Sequence, residues 1–175
     1  MATEVRLLTP NEVEAGITSL AAILLDAVTS GASVSFLENF TLEMAKNFWI
    51  GLLPAVNQGQ ILILGALRDG QLVGTVQLHI NTPPNQPHRA DVAKLLVHRS
   101  ARRLGIARKL MQYVEEVALD SNRWLLTLDT VPNSPAEQLY LSLGYVGIGI
   151  IPGYALLTDG RLGDTKIFYK QLASG

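Results

Sequence analysis

Lys94, Arg99, Arg102, Arg103, Arg108 and Lys109 put six basic side chains, and no acidic one, within residues 94–109. The run joins an apolar stretch, Ala90 to Val97, to a helical pattern that begins near Gly105. A helix N-terminus carries unpaired N–H groups and partial positive charge, and it favours Asp or Glu in its first turn. Arg108 and Lys109 stand there instead. Two readings follow: a solvated basic turn, or a polyanion site in which a bound phosphate relieves the charge conflict. For the second, Gly105 has no side chain and Ala107 a small one, so backbone amides can come close to phosphate oxygens. The segment holds neither G-x-G-x-x-G nor G-x-x-x-x-G-K-[ST], so the two commonest nucleotide-phosphate loops are unsupported. The patch is short and the net charge is -1, which argues against a nucleic-acid partner.

Composition removes other chemistries. The chain has no cysteine, so disulfides, thiolate metal sites and a thiol nucleophile are excluded. His79, His88 and His98 form no H-E-x-x-H pattern, and no metal is expected. With 48% hydrophobic and 17% charged residues, the 175-residue chain is not disordered. Its length suits one compact domain over residues 1–175. Met1 to Leu8 lacks a cationic head followed by an apolar block, so no export signal is read there. Gln138 to Thr158 is uncharged, but Gly144, Gly147, Gly149, Pro152 and Gly153 make a membrane helix through it costly. It is read as a helix end, a turn and a buried strand. The expectation is a cytoplasmic protein with no membrane partner.

The elements that position the basic run follow from periodicity. Thr9-Pro10-Asn11-Glu12 opens a helix with a capping box, and apolar residues recur at helical spacing from Val13 to Val28. Thr41 starts a second helix, whose apolar side runs from Leu42 to Val56. Ile61 to Leu67 and Leu72 to Ile80 flank Asp69-Gly70 as a hairpin. Ala90 to Val97 is a strand, Gly105 to Asp120 a helix and Trp124 to Asp129 a short buried strand. Ser134-Pro135-Ala136-Glu137 opens a helix that stops near Gly144. Tyr145 to Leu157 and Lys166 to Leu172 are the last strands. This order, β-α-α-β-β-β-α-β-α-β-β, predicts an α/β fold with a mixed sheet and helices on both faces.

Arg102-Arg103-Leu104-Gly105-Ile106-Ala107 resembles the R/Q-x-x-G-x-G/A signature of the GNAT superfamily of N-acetyltransferases. Leu95-Leu96-Val97 before it, and Asn133, Ala136, Tyr140 and Gly144-Tyr145 after it, fit the same family. The resemblance covers nearly the whole chain and implies the GNAT fold, with a mostly antiparallel sheet of about seven strands. Gly31-Ala32-Ser33-Val34, Ala90 to Leu95, Leu128-Asp129-Thr130 and Asp159-Gly160-Arg161-Leu162 resemble the tabtoxin-resistance branch. Ala107 departs from the more usual glycine.

The resemblance implies acetyl-CoA as co-substrate. Arg102, Arg103, Leu104, Gly105, Ile106, Ala107 and Arg108 would wrap its pyrophosphate, chiefly through backbone amides. The backbone of Leu95, Leu96 and Val97 would pair with the pantetheine arm, and Asn133 would position that arm. Tyr140 would reprotonate the CoA thiolate, although helical spacing with Ala136 and Leu143 also suits a core tyrosine.

Attack by an amine needs loss of its proton. Asp129 ends an apolar strand, where a carboxylate can serve a site or cap a turn. Strict alternation puts Asp91 on the side of Ala93, Leu95 and Val97, so it is a second candidate base, or else a surface strand residue. Two neighbouring carboxylates could raise one pKa. For the acceptor, Ser33 and Ser35 offer hydroxyls, and Arg161 could hold a carboxylate beside Asp159. The other reading of Asp159 to Arg161 is a plain turn. The function expected is acetyl transfer to the primary amine of a small molecule, extending to amino-acid-like toxins or antibiotics, by direct attack in a ternary complex. The alternatives are a protein lysine or N-terminal acetyltransferase, and a non-catalytic acyl-CoA-binding domain. The oligomeric state stays open.

Overall fold

Thr9, Thr41 and Ser134 each open a helix. Thr9 Oγ1 accepts from the Glu12 amide, and the Glu12 carboxylate accepts from the Thr9 amide at 2.8 Å, closing the capping box. Thr41 and Ser134 accept from the Met44 and Glu137 amides at 3.2 Å. In the computed structural model, which describes residues 3–32 and 34–172, five α-helices result. They are α1 (Pro10–Ala15), α2 (Ile17–Thr29), α3 (Leu42–Asn57), α4 (Ile106–Asp120) and α5 (Pro135–Ser142). The single helix expected from Thr9 to Val28 is therefore two. The break is at Gly16, where a Cβ would sit 2.9 Å from the Glu12 carbonyl oxygen and 3.0 Å from Leu72 Cδ1.

Seven strands form one sheet: β1 (Thr3–Leu7), β2 (Ile61–Arg68), β3 (Gln71–His79), β4 (Arg89–Val97), β5 (Leu125–Thr130), β6 (Val146–Leu156) and β7 (Leu162–Gln171). Their spatial order is β1-β2-β3-β4-β5-β7-β6. Only β4 and β5 run parallel. Asp69 and Gly70 both take positive φ, 51° and 78°, as a tight hairpin between β2 and β3 requires.

Period-two alternation sends aliphatic side chains to two cores. Leu64, Ala66, Val76 and Leu78 pack with Leu110, Met111 and Val114 of α4 on one face. Ile61 and Ile63 pack with Leu20, Leu24 and Trp49 of α2 and α3 on the other. This is the α/β architecture that the sequence predicts, a mixed sheet with helices on both faces.

Two expectations are corrected. The strand through Tyr145 to Leu157 is not buried: β6 is exposed along its whole length, because it lies at the end of the sheet. The last strand begins at Leu162 rather than Lys166, since pairing of Leu162 and Gly163 with Leu156 and Ala155 extends it through residues of low strand propensity. Among the described residues, no helix is long and apolar enough to cross a membrane.

Candidate active site

β4 and β5 pair only at Arg89–Leu125, Ala90–Leu126 and Asp91–Thr127. Beyond that register the strands separate, so the β4 backbone from Ala93 to Val97 keeps a free edge towards β5. The cause lies in β4. Lys94 has φ 53°, and the register against β3 moves from Gln77–Ala93 to Thr75–Leu96, which inserts one extra residue. This bulge reverses the alternation. Ala90, Val92, Leu95 and Val97 pack towards α4, whereas Leu96 packs with the α1–α3 cluster. Asp91 is therefore on the face opposite Leu95 and Val97, contrary to the expectation from strict alternation.

The turn from Arg102 to Arg108 caps the open end. Arg103 and Gly105 both have positive φ, 62° and 75°. Gly105 is the N-cap of α4, and a Cβ there would meet open space. The amides of residues 103 to 108 make no hydrogen bond among the described residues, and the first bond of α4 runs from the Lys109 amide to the Gly105 carbonyl at 3.1 Å. Gly74 lets α4 sit tightly on β3, since a Cβ there would lie 3.1 Å from the Leu96 carbonyl oxygen and 3.3 Å from Ile106 Cγ2. A row of unpaired amides beside a free strand edge fits an extended ligand that carries a pyrophosphate.

The basic run does not act as one patch. Asp26 on α2 is buried and takes the backbone amide of Arg99 at 2.8 Å, the Arg99 guanidinium, and the Arg102 guanidinium at 3.1 Å. Burial alone would raise the Asp26 pKa, but the Arg99 hydrogen bonds prevail and hold it below the usual carboxylate range. Arg102 also donates to the Val97 carbonyl at 3.0 Å. Its side chain is thus a brace for the turn. Arg108 donates to Ser142 Oγ at 2.7 Å. Arg103 and Lys109 have no ion pair among the described residues.

Around the parted strands, Asp129 lies near both Tyr140 and Lys94. Tyr140 is buried, and its hydroxyl makes no hydrogen bond among the described residues. Burial, with the nearby Asp129 charge, pushes its pKa up to about 12, so it holds its proton at neutral pH. Asp129 is exposed and accepts from Thr165 Oγ1 at 2.7 Å. Lys94 reaches to the α3 side: its Nζ donates to Ser35 Oγ at 3.3 Å and lies 5.8 Å from the Phe48 ring centroid. Burial lowers the Lys94 pKa, and Asp129 opposes that shift. Lys94 was legible only as one charge in a run. The triple apolar sequence Leu95-Leu96-Val97 after it breaks period two and is the signal that could have shown the bulge. His79, opposite Asp91 on β3, was also missed; its Nε2 lies 2.9 Å from Gln77 Oε1, and burial lowers its pKa.

Other predicted residues fall elsewhere. Asp91 is occupied by the Arg89 guanidinium and the Thr127 hydroxyl at the closed end of the cleft. Asn133 is exposed, with φ 60°, and its amide donates to Glu137, which is ion-paired with Lys166. That clamp fixes the turn between β5 and α5. The 31–40 loop meets the β6–β7 turn through the Glu38 amide and the Thr158 carbonyl at 2.9 Å, so the two segments expected near an acceptor do adjoin. Arg161, however, is exposed and paired with Asp159 at 2.7 Å, inside a turn closed by the Gly160 amide on the Leu157 carbonyl. Its guanidinium is used within the turn. Ser33 lies outside the described residues.

The sequence model of the acetyltransferase (GNAT) family matches residues 25–145. Among solved structures, ribosomal-protein-alanine N-acetyltransferase from Brucella melitensis is 26% identical, with a TM-score of 0.77, covering 97% of this chain and 99% of that one. An N-acetyltransferase from Staphylococcus aureus Mu50 is 16% identical with a TM-score of 0.79, covering 99% and 100% of the two chains. The yncA protein from Salmonella typhimurium, solved with its cofactor acetyl-CoA, is 17% identical with a TM-score of 0.79, covering 100% and 96%. The last two likenesses speak for the fold, and the family match spans well over half of the 175 residues. The chain thus belongs to the GNAT family of acetyl-CoA-dependent N-acetyltransferases.

Proposed function

We propose that this chain moves the acetyl group of acetyl-CoA to the primary amine of a small acceptor that also carries an acidic group. The observation that carries this is the placement of opposite charges at the cleft: Lys94, half-buried on the bulge with its Nζ donating to Ser35 Oγ at 3.3 Å, lies within electrostatic reach of the exposed carboxylate of Asp129. An amino-acid-like zwitterion presents the complementary pair, with its ammonium to Asp129 and its carboxylate to Lys94. The carboxylate anchor is Lys94 rather than Arg161, whose charge is already matched by Asp159.

In this reading the amides of residues 103 to 108 hold the pyrophosphate. The edge from Leu95 to Val97 holds the pantetheine arm, with one amide polarising the thioester carbonyl. Asn133 borders the arm, and Ser35 lines the acceptor side. Asp129 holds the ammonium and takes its proton. The amine nitrogen then bonds to the thioester carbon, the carbon–sulfur bond breaks, and Tyr140 gives its proton to the departing thiolate. No acyl-cysteine forms, since the chain has no cysteine. Asp91 acts by position, tying β4 to β5 below the point where they part. Placement beside the tabtoxin-resistance enzymes, and with it a role in toxin or antibiotic resistance, belongs to this proposal, as do the single domain over residues 1–175 and a cytoplasmic location.

The test is a screen of amine acceptors with acetyl-CoA, reading released thiol. Turnover of amino acids and related zwitterions, with no turnover of the matching amines that lack a carboxylate, is the expected result. A second reading is favoured by the likeness to ribosomal-protein-alanine N-acetyltransferase: the acceptor would be a protein N-terminus. Turnover confined to peptides that begin with alanine would establish it in place of the first. Tight acetyl-CoA binding with no turnover of any amine would leave a non-catalytic binding domain.

A further inference from the structure

We infer that Lys94 is an acetylation site of the protein itself: its side-chain amine takes the acetyl group from acetyl-CoA bound to the same chain. The inference rests on the proposed placement of the donor, and not on the identity of the acceptor. With its pyrophosphate on the amides of residues 103 to 108, an arm lying along the edge from Val97 to Leu95 runs back towards Lys94. It can go no further than the point where β4 and β5 close, at Asp91–Thr127. The reactive end of the arm is thus confined to the few residues of β4 around the bulge. Lys94, with φ 53°, stands in that bulge.

The other lysines are placed differently. Lys166 is ion-paired with Glu137, and Lys170 with Glu115 at 2.7 Å. Lys109 is exposed on the first turn of α4, at the pyrophosphate end. Lys46 is on α3 two positions from Phe48, and residues two apart on a helix do not share a face. Lys94 has no ion pair among the described residues. Its Nζ makes one hydrogen bond, to Ser35 Oγ at 3.3 Å, and lies over the Phe48 ring. The amine is therefore partly stripped of water without being locked to a carboxylate. Burial lowers its pKa against the opposing charge of Asp129, which enlarges the share of free amine at neutral pH. His79 on β3 is also within electrostatic reach, and burial lowers its pKa too.

The step balances with groups already in place. The Lys94 ammonium first gives one proton to water. The free amine nitrogen then bonds to the thioester carbon, and the carbon–sulfur bond breaks with its electron pair on sulfur. The nitrogen loses its second proton to Asp129, and Tyr140 gives its proton to the thiolate. The products are free CoA and an Nε-acetylated Lys94. The acetylated side chain is neutral, so it can no longer anchor a carboxylate. In the proposed reading, the modification is a brake on acceptor binding.

The experiment incubates the full chain with acetyl-CoA and no amine acceptor, then reads acetylation at each lysine by mass spectrometry after digestion. Lys94 is expected to gain one acetyl group at least about 10-fold faster than Lys46, Lys109, Lys166 or Lys170. The rate should be independent of protein concentration, as transfer within one chain requires. Tyr140→Phe should slow labelling of Lys94 roughly 10- to 100-fold and leave the other lysines at their own rate, since uncatalysed transfer does not use that hydroxyl. Lys94→Arg should lose the label and still bind acetyl-CoA in calorimetry. If the wild type binds acetyl-CoA yet labels Lys94 no faster than the other lysines, the inference is overturned and the donor site stands. Labelling that ignores Tyr140→Phe, or that rises in proportion to protein concentration, overturns it as well. Absence of acetyl-CoA binding overturns both the inference and the donor placement on which it rests.

Discussion

The turn from Arg102 to Arg108 and the pocket around Lys94 lie at opposite ends of the bulged half of β4, yet they are built in different ways. The turn is local. Its positive-φ residues, its unpaired amides and the start of α4 all fall within a few consecutive positions. The pocket gathers Ser35 from a loop, Phe48 from α3, Lys94 from the bulge and Asp129 from β5. In the proposed reading, the donor site holds one fixed ligand and can be written as a short motif, while the acceptor site is assembled from distant segments and can change its chemistry one residue at a time. Four substitutions bear on this contrast, from the largest expected effect to the smallest.

Gly105→Glu should be the most damaging. The side chain must adopt a φ of 75°, and it brings a carboxylate to the amides that would hold the pyrophosphate. Loss of affinity for acetyl-CoA on the order of 100-fold or more, about 3 kcal/mol, is expected in calorimetry. Unchanged affinity would show that the turn is a solvated one and that the donor site lies elsewhere.

Tyr140→Phe keeps the packing of α5 and removes one proton. Turnover should fall roughly 10- to 100-fold with acetyl-CoA affinity intact. The pH profile gives an independent check. Because burial pushes the Tyr140 pKa up to about 12, the wild type should lose no activity through this group between pH 7 and 10. A fall in turnover near pH 10 that is absent from the Phe variant would mark an ordinary exposed tyrosine and contradict the buried placement.

Much of this was legible in the sequence, and the exceptions have a common cause. The caps at Thr9, Thr41 and Ser134, the Asp69-Gly70 hairpin and the glycine turn depend on neighbours a few residues away. Three features depend on distant contacts and were not legible. The brace on Arg99 and Arg102 comes from Asp26, more than seventy positions earlier. The reversal of β4 depends on a register slip against β3. The exposure of β6 follows from strand order, because an apolar run looks the same at the edge of a sheet as in its middle. The charge run is visible in the sequence, but its members have separate partners that only the fold assigns.

Lys94→Met tests the pocket directly. It removes the charge while keeping the length of the side chain over Phe48. The KM for an acidic amine should rise about 10-fold, with the KM for acetyl-CoA unchanged. Since burial lowers the Lys94 pKa, the wild type should lose acceptor affinity at a lower pH than an ordinary lysine would dictate, and the Met variant should show no such limb. Equal rises in both constants would mean that Lys94 merely supports the bulge, and the pocket would lose its cation.

Arg161→Ala should change least. The sequence alone gives Arg161 two possible duties, a carboxylate anchor or part of a turn, and its partners in the fold favour the turn. The guanidinium lies against Asp159, the Arg161 amide donates to the same carboxylate at 3.1 Å, and the Leu157 amide binds the Arg161 carbonyl at 2.7 Å. Only the first of these contacts is lost in the Ala variant, because the backbone bonds remain. The pair is exposed to water, where such contacts add little stability. The thermal midpoint and both Michaelis constants are therefore expected to match the wild type. A selective rise in the KM for the amine would show that Arg161 leaves Asp159 to bind the acceptor. The pocket would then reach the β6–β7 turn through the Glu38–Thr158 contact, and Lys94 would be one of two anchors rather than the principal one.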